Sequence, residues 1–157
     1  MVTVLEFKDY TLPLFDQDLE QAEGPPEAAV RLKEQFLAHD GLLISSPEYN
    51  SSISPLLKNA IDWVSRPAED ESPLAAYQGK VAALMAASPG ALGGLRGLVH
   101  LRSILSNIGV LVLPNQVAVP RAFEAFGEDG KLQDEKLSGR VEQIAKALVK
   151  TVTKLSG

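Results

Sequence analysis

The stretch Lys80-Val81-Ala82-Ala83-Leu84-Met85-Ala86 restricts the fold more than any other. Past its lysine it is continuously apolar and shows no alternation, so both of its faces must be covered by other parts of the chain. A strand covered on both faces belongs in the middle of a layered α/β sheet, and its neighbours in sequence agree. Gly41-Leu42-Leu43-Ile44 is a second apolar run, predicting a strand over Leu42 to Ser45. Val110 to Val119, interrupted by Pro114, predicts an edge strand, because proline cannot donate to a ladder. Val2-Thr3-Val4-Leu5-Glu6-Phe7 predicts a β-branched strand at the start of the chain.

Helices are predicted between these runs. Pro25 and Pro26 fit a helix start, with Ala29, Leu32 and Phe36 on one face up to about Ala38, whereas Pro13 to Pro26 reads as a loop. Ser54 can cap a helix that Pro55 opens and Pro67 closes, with Leu56, Leu57, Ala60, Ile61 and Val64 on its apolar stripe. Ser88 to Gly94 is a Gly-rich turn leading into a helix that ends near Asn107, with Gly109 as its stop. Asp134 to Leu155 is the last helix, with Leu137, Val141, Ile144, Leu148, Val152 and Leu155 on its stripe. Strands alternating with helices imply βαβ units and a parallel sheet. The expected architecture is one three-layer, doubly wound α/β domain over residues 1–157.

Composition narrows the function. The chain carries 15 basic and 20 acidic residues, a net charge of −5, which argues against a nucleic-acid-binding surface. Cysteine is absent, so disulfides, thiol chemistry and cysteine metal sites are excluded. His39 and His100 stand far apart without ligand spacing, and His39 suits the end of a helix. No apolar run approaches a membrane span and no signal pattern opens the chain, so a soluble cytoplasmic protein is expected.

The polar segments that follow the apolar runs are the candidate site. In open α/β sheets ligands lie in the crevice beyond the carboxyl ends of the strands. Pro47-Glu48-Tyr49-Asn50 follows one predicted strand and Ser88-Pro89-Gly90-Ala91-Leu92-Gly93-Gly94 follows the next, so two turns emerge on one sheet edge. Tight turns of small residues present backbone N–H groups at close range and can flank a planar ligand. Alternative readings stand beside this one. Tyr49 equally suits a rim or interface aromatic, Asn59 and Asp62 suit loop support, Trp63 suits packing, Lys58 suits a solvated helix face, and Gly93 and Gly94 suit a helix starting tightly against the sheet.

The wording SPEYN-SSISPLLKNAIDW, then ASPGALGGLRGLVHLRSIL, then LPNQVAVPRAFEAF resembles the NADPH-dependent FMN reductase family, which includes quinone, azo-dye and chromate reductases. The resemblance runs from Val2 over most of the chain. It implies a flavodoxin-like fold and an oxidoreductase in which FMN takes hydride from NAD(P)H and passes electrons to a quinone or similar small acceptor. It also implies that Pro47, Glu48, Tyr49, Asn50, Ser88, Gly90 and Gly93 contact the flavin. With the hard chemistry in the cofactor, no catalytic acid or base is required. A flavodoxin-type electron carrier, binding FMN without pyridine-nucleotide activity, is the rival from another class.

The family's usual opening is a strand and a G-S-x-R-x-x-S-x-N type loop, which holds the FMN phosphate at a helix N-terminus. No such loop occurs here; Ser45-Ser46 and Ser51-Ser52 lack the arginine, and Val2 to Phe7 matches the family's second strand. The chain thus reads as N-terminally truncated relative to the family. Three explanations stay open: a fragment of a longer product, a sheet that closes up by pairing Val2 to Phe7 with Leu42 to Ser45, or pairing supplied by a partner subunit. Each lost charge-assisted bond is worth roughly 1.5–3 kcal/mol, so weak FMN binding and a non-catalytic remnant are expectations to hold beside the enzyme. Self-association is expected as well. Leu95, Leu98, Val99, Leu101, Ile104, Leu105 and Ile108 cover too wide an arc for a helix with one solvated side, and Arg96 and Arg102 suit an interface rim. A homodimer or homotetramer follows.

Overall fold

The computed structural model describes residues 1–68, 70–155 and 157. They fall into two compact units, Met1–His39 with Pro55–Tyr77, and Asp40–Ser54 with Gln78–Gly157.

The first unit is helical. Asp16 caps α1 (Gln17–Glu23) by accepting the Asp18 and Leu19 amides at 2.8 and 3.3 Å, and Gly24 ends it at φ 77°. This helix lies where the sequence suggested a loop. Its acid-rich, glycine-flanked sequence hides a well-capped turn. Pro26 then starts α2 (Glu27–Leu37), which packs on α3 (Pro55–Val64) with Leu32, Trp63 and Val64 fully buried. Lys33 pairs with Glu71, and the Arg66 guanidinium donates to Glu20 at 2.7 Å.

Val2 to Phe7 is not a strand. Val2 and Val4 are exposed, and the chain tightens into a 3-10 turn at Phe7–Asp9, with Asp9 and Tyr10 amides bonded to the Glu6 and Phe7 carbonyls. A β-branched run becomes a strand only when a ladder accepts its backbone groups, and neither sheet includes this segment. The proposed pairing with Leu42 to Ser45 is therefore not made.

The second unit holds the parallel sheet. Its strands are β1 (Gly41–Ser45), β4 (Val81–Ala87) and β5 (Leu111–Val119), in the order β1-β4-β5, and a small antiparallel hairpin, β2 (Glu48–Tyr49) and β3 (Ser52–Ile53), stands apart from it. The central strand is the apolar one, as its composition requires. Val81 and Ala83 face α6 (Glu135–Leu155), packing with Val117, Val119, Ile144 and Leu148. Ala82, Leu84 and Ala86 alternate to the opposite face and are buried there. On that side α4 (Leu95–Asn107) packs on β4 and β5 through Leu98, Leu101 and Leu105. Helix, sheet and helix make the three layers of a doubly wound α/β arrangement.

β5 is an edge strand and is irregular where its proline falls. Ala82 pairs with Val112 but Leu84 pairs with Gln116, so two steps on β4 match four on β5. The excess residues bulge around Pro114 and turn carbonyls out of the ladder. Arg102 takes them up, donating to the carbonyls of Leu113 at 2.8 Å, Val112 at 3.3 Å and Pro114 at 3.4 Å, and to the Gln116 side chain at 3.0 Å. Its guanidinium serves the strand of its own chain.

Candidate functional site

The Ser46 amide continues the β1 ladder by donating to the Met85 carbonyl at 3.0 Å, and Pro47 then ends it. The chain doubles back at once. Glu48 pairs with Ile53 and Tyr49 with Ser52, leaving Asn50 and Ser51 as a two-residue turn with φ of 49° and 66°. Two consecutive positive φ values match the right-handed twist of a hairpin, and asparagine tolerates that region well. The sequence suggested a loop, because Asn-Ser is a weaker hairpin signal than Asn-Gly. Tyr49 projects from this hairpin 57% exposed, and Pro47 and Asn50 are exposed too.

Ser88 to Gly94 leaves the carboxyl end of the neighbouring strand β4. The Ser88 amide donates to the Val119 carbonyl at 3.1 Å, and the Gly93 amide to Gly90 at 3.2 Å. The three glycines differ sharply. A Cβ on Gly93 would lie 2.6 Å from the backbone of Val119 and Pro120, and one on Gly94 would lie 2.6 Å from the Ala86 Cβ; both residues have positive φ. Gly93 and Gly94 are therefore required by the approach of the turn to the sheet. Nothing of that kind constrains Gly90, where a Cβ would meet only the Ser88 Oγ at 3.8 Å.

A third loop joins these two, and sequence reasoning missed it. Pro120 to Ala122 follows β5 on the same sheet edge, with the Arg121 amide bonded to the Gly90 carbonyl at 3.3 Å and the Ala122 amide to Ser88 at 3.1 Å. Arg121 is left-handed at φ 48° and precedes the short helix α5 (Ala122–Ala125), whose Phe123 is exposed. The signal was available, since any loop after a parallel strand of this sheet must emerge on that edge.

Glu48 differs from the expectation of an open ligand contact. Its side chain is 6% exposed and turned onto the start of α4. One carboxylate oxygen accepts the Arg96 and Gly97 amides at 3.0 and 3.1 Å, and the other accepts the Arg96 guanidinium at 2.9 and 2.6 Å. Burial pushes this carboxyl up, but the Gly97 amide and the Arg96 guanidinium and amide outweigh it and hold the pKa below the ordinary 4.5. Ser52 on the same hairpin bonds His100 of α4 at 2.9 Å.

The other polar residues near the motif lie in the first unit and are occupied within it. Asn59 donates to the Pro13 carbonyl at 2.9 Å and accepts the Phe15 amide at 2.7 Å, and the Trp63 indole donates to Pro13 at 2.8 Å. Phe15 packs edge-on against Trp63 at 5.0 Å. These residues tie down the segment at Pro13 and Phe15. Lys58 pairs with Asp62 one turn along on an exposed face. Among the described residues there is no group of three or more His, Cys, Asp or Glu that could hold a metal, and no helix long and apolar enough to cross a membrane.

The family described as NADPH-dependent FMN reductase matches residues 1–124, a span that contains all three loops. The chain belongs to that family. It is 40% identical over 147 residues to an NAD(P)H-dependent FMN reductase of Pseudomonas aeruginosa, covering 93% of this chain and 76% of that protein. It is 43% identical over 102 residues to a quinone reductase of Escherichia coli, a match spanning 65% of this chain and 52% of the relative. Among solved structures, the flavoenzyme NAD(P)H:(acceptor) oxidoreductase FerB of Paracoccus denitrificans superposes with a TM-score of 0.78 at 32% identity, over 96% of this chain and 79% of its own. The α/β fold and the oxidoreductase family read from the motifs are thus confirmed. In this family setting the edge where β1, β4 and β5 deliver their loops is the candidate cofactor site.

Proposed function

We propose that this chain is an FMN-dependent NAD(P)H oxidoreductase that reduces quinones or similar small acceptors. The observation that carries the proposal is the room at Gly90. Gly90 lies in a turn that the Pro120 to Ala122 loop buttresses through the Gly90 and Ser88 carbonyls, yet nothing among the described residues requires a glycine there. A glycine with an open front admits a flat ligand against the backbone, and the exposed Pro47, Tyr49 and Asn50 stand on the loop from the neighbouring strand. These residues fit the ring of a flavin. The phosphate end of FMN is not accounted for by these turns.

When bound, FMN supplies the hydride and electron chemistry itself. The chain's part is to orient the ring. Ser88 and Gly90 present backbone at close range, Asn50 offers an amide side chain on the opposite loop, and Gly93 keeps its turn pressed against β5. Tyr49 on the hairpin, Leu92 in the Gly-rich turn, and Leu95 and Val99 on α4 are apolar side chains left exposed, and we assign their cover to a second copy of the chain in a homodimer. A chain that takes hydride from NAD(P)H suits the cytoplasm, where pyridine nucleotides are held.

Absorption spectroscopy tests the function. The purified chain titrated with FMN at equilibrium is expected to bind it and perturb the flavin absorption band, and NADPH is expected to bleach that band anaerobically. Binding without bleaching would replace the reductase with an electron carrier; no binding at any FMN concentration up to the millimolar range would refute both. Light scattering at low micromolar concentration tests the dimer, and a monomer mass of 16.8 kDa would refute it.

A further inference from the structure

α4 begins without a cap of its own. Its N-cap residue is Gly94, left-handed at φ 89°, with no side chain to accept the free amides of the first turn. The usual Ser, Asp or Asn cannot stand there, because a Cβ at Gly94 would lie 2.6 Å from that of Ala86. The carboxylate that accepts those amides comes from Glu48, on the hairpin. The hairpin also meets α4 at two further points. A Cβ on Gly97 would lie 3.2 Å from the Ser52 carbonyl, so the glycine permits close backbone approach, and His100 bonds the Ser52 hydroxyl.

We propose that Glu48 is a positioning residue that caps α4 from the hairpin and thereby fixes Tyr49 and the Asn50–Ser51 turn at the cofactor edge. This rests on the reading of that turn as a flavin contact. Glu48 immediately precedes Tyr49 and Asn50, so anchoring its carboxylate on α4 sets where the turn stands. A two-residue turn between two-residue strands has little stability by itself, since an isolated hairpin is marginal in water. The anchoring geometry is specific: two amides on one oxygen and a forked guanidinium on the other leave the carboxylate one orientation.

Glu48→Ala and Glu48→Gln, compared with the wild-type chain by NMR, decide the matter. Far-UV circular dichroism establishes that each variant is folded. Glu48→Ala is expected to speed hydrogen exchange at the Arg96 and Gly97 amides at least tenfold and to drop the Asn50 and Ser51 backbone order parameters from near 0.85 to below about 0.6. FMN affinity is expected to fall at least tenfold with them. Glu48→Gln keeps an acceptor oxygen for the two amides and is expected to restore most of the order of the turn. Unchanged order at Asn50 and Ser51 in Glu48→Ala would overturn the proposal. So would lost FMN affinity with amide protection intact, which would make Glu48 a direct ligand contact. A wild-type chain that binds no flavin would refute the proposed function, while the exchange and order parameters would still decide the positioning role.

Discussion

Gly90 and Gly93 lie three residues apart in one turn and are expected to respond oppositely to the same change. In Gly93→Ala the new methyl would stand 2.6 Å from the Pro120 nitrogen and the Val119 carbonyl carbon, and 2.8 Å from the Val119 nitrogen. These are backbone atoms at the end of β5, so no side chain can swing away. Either the turn or the strand end must shift, at an overpacking cost of about 1–3 kcal/mol. The left-handed backbone at φ 61° adds about 1–2 kcal/mol for a residue with a Cβ. The sum, about 2–5 kcal/mol, is a large part of the roughly 5–15 kcal/mol that holds a typical domain folded. Gly90→Ala meets only the Ser88 Oγ at 3.8 Å, and its φ lies outside the left-handed range. Reduced freedom of the unfolded chain then makes it neutral or stabilising by up to about 1 kcal/mol. Urea unfolding followed by circular dichroism measures both. With m of about 1–3 kcal/mol/M, Gly93→Ala should lower the midpoint by at least about 0.7 M at unchanged m, and Gly90→Ala should leave it in place or raise it. Equal midpoints for the two variants would refute the division into a fold glycine and a ligand glycine.

Gly90→Val is expected to abolish flavin retention by filling the open front of the turn, whereas Lys58→Ala removes only an exposed ion pair with Asp62 and should leave flavin titrations unchanged; a larger effect from the lysine would misplace the site. Arg102→Ala leaves the bulge carbonyls of β5 without their donor and should cost about 1–3 kcal/mol in urea unfolding, with exchange accelerated along β5 first. The Glu71 carboxyl is held below the ordinary 4.5 by the Lys33 hydrogen bond, against burial, with help from the Ala68 amide. Its contribution is therefore complete above pH 4.5 and lost as pH falls through the depressed value, so the stability advantage of wild type over Glu71→Gln should shrink in acid; an advantage that grows below pH 4.5 would reverse the sign of the assignment.

What could be read from the sequence was whatever is decided within a few residues. The unbroken apolar run of β4 requires cover on both faces, and α4 and α6 provide it. The 3.6-residue stripe of the last helix and the glycine stop at Gly109 are equally local; Leu137, Val141, Ile144, Leu148 and Val152 pack on the core, although Leu155, the last residue expected on the stripe, is exposed, and both helices end as expected. The features that escaped are those whose second half lies far along the chain. Val2 to Phe7 has strand composition, but composition supplies no ladder, and local bonds at Phe7–Asp9 take its place. The bonds of Arg102 to β5 were not legible because the carbonyls it serves appear only once β5 bulges.

The Glu48 cap shows why such features stay hidden. A search for a helix start at α4 finds Gly94 and no Ser, Thr, Asp or Asn, and so reads a poor terminus. The glycine is there because of Ala86, one residue of the neighbouring strand, and its lost capping function passes to a carboxylate 46 positions earlier, from 94 back to 48. Three constraints, on β4, on the turn and on the hairpin, are met by one arrangement of residues that are unremarkable singly. The family motif contains both the glutamate and the glycine, but nothing in the motif as a string says that they serve the same helix end. That relation exists only in three dimensions, and it makes the hairpin turn and the first turn of α4 one mechanical element at the edge where the cofactor is proposed to sit.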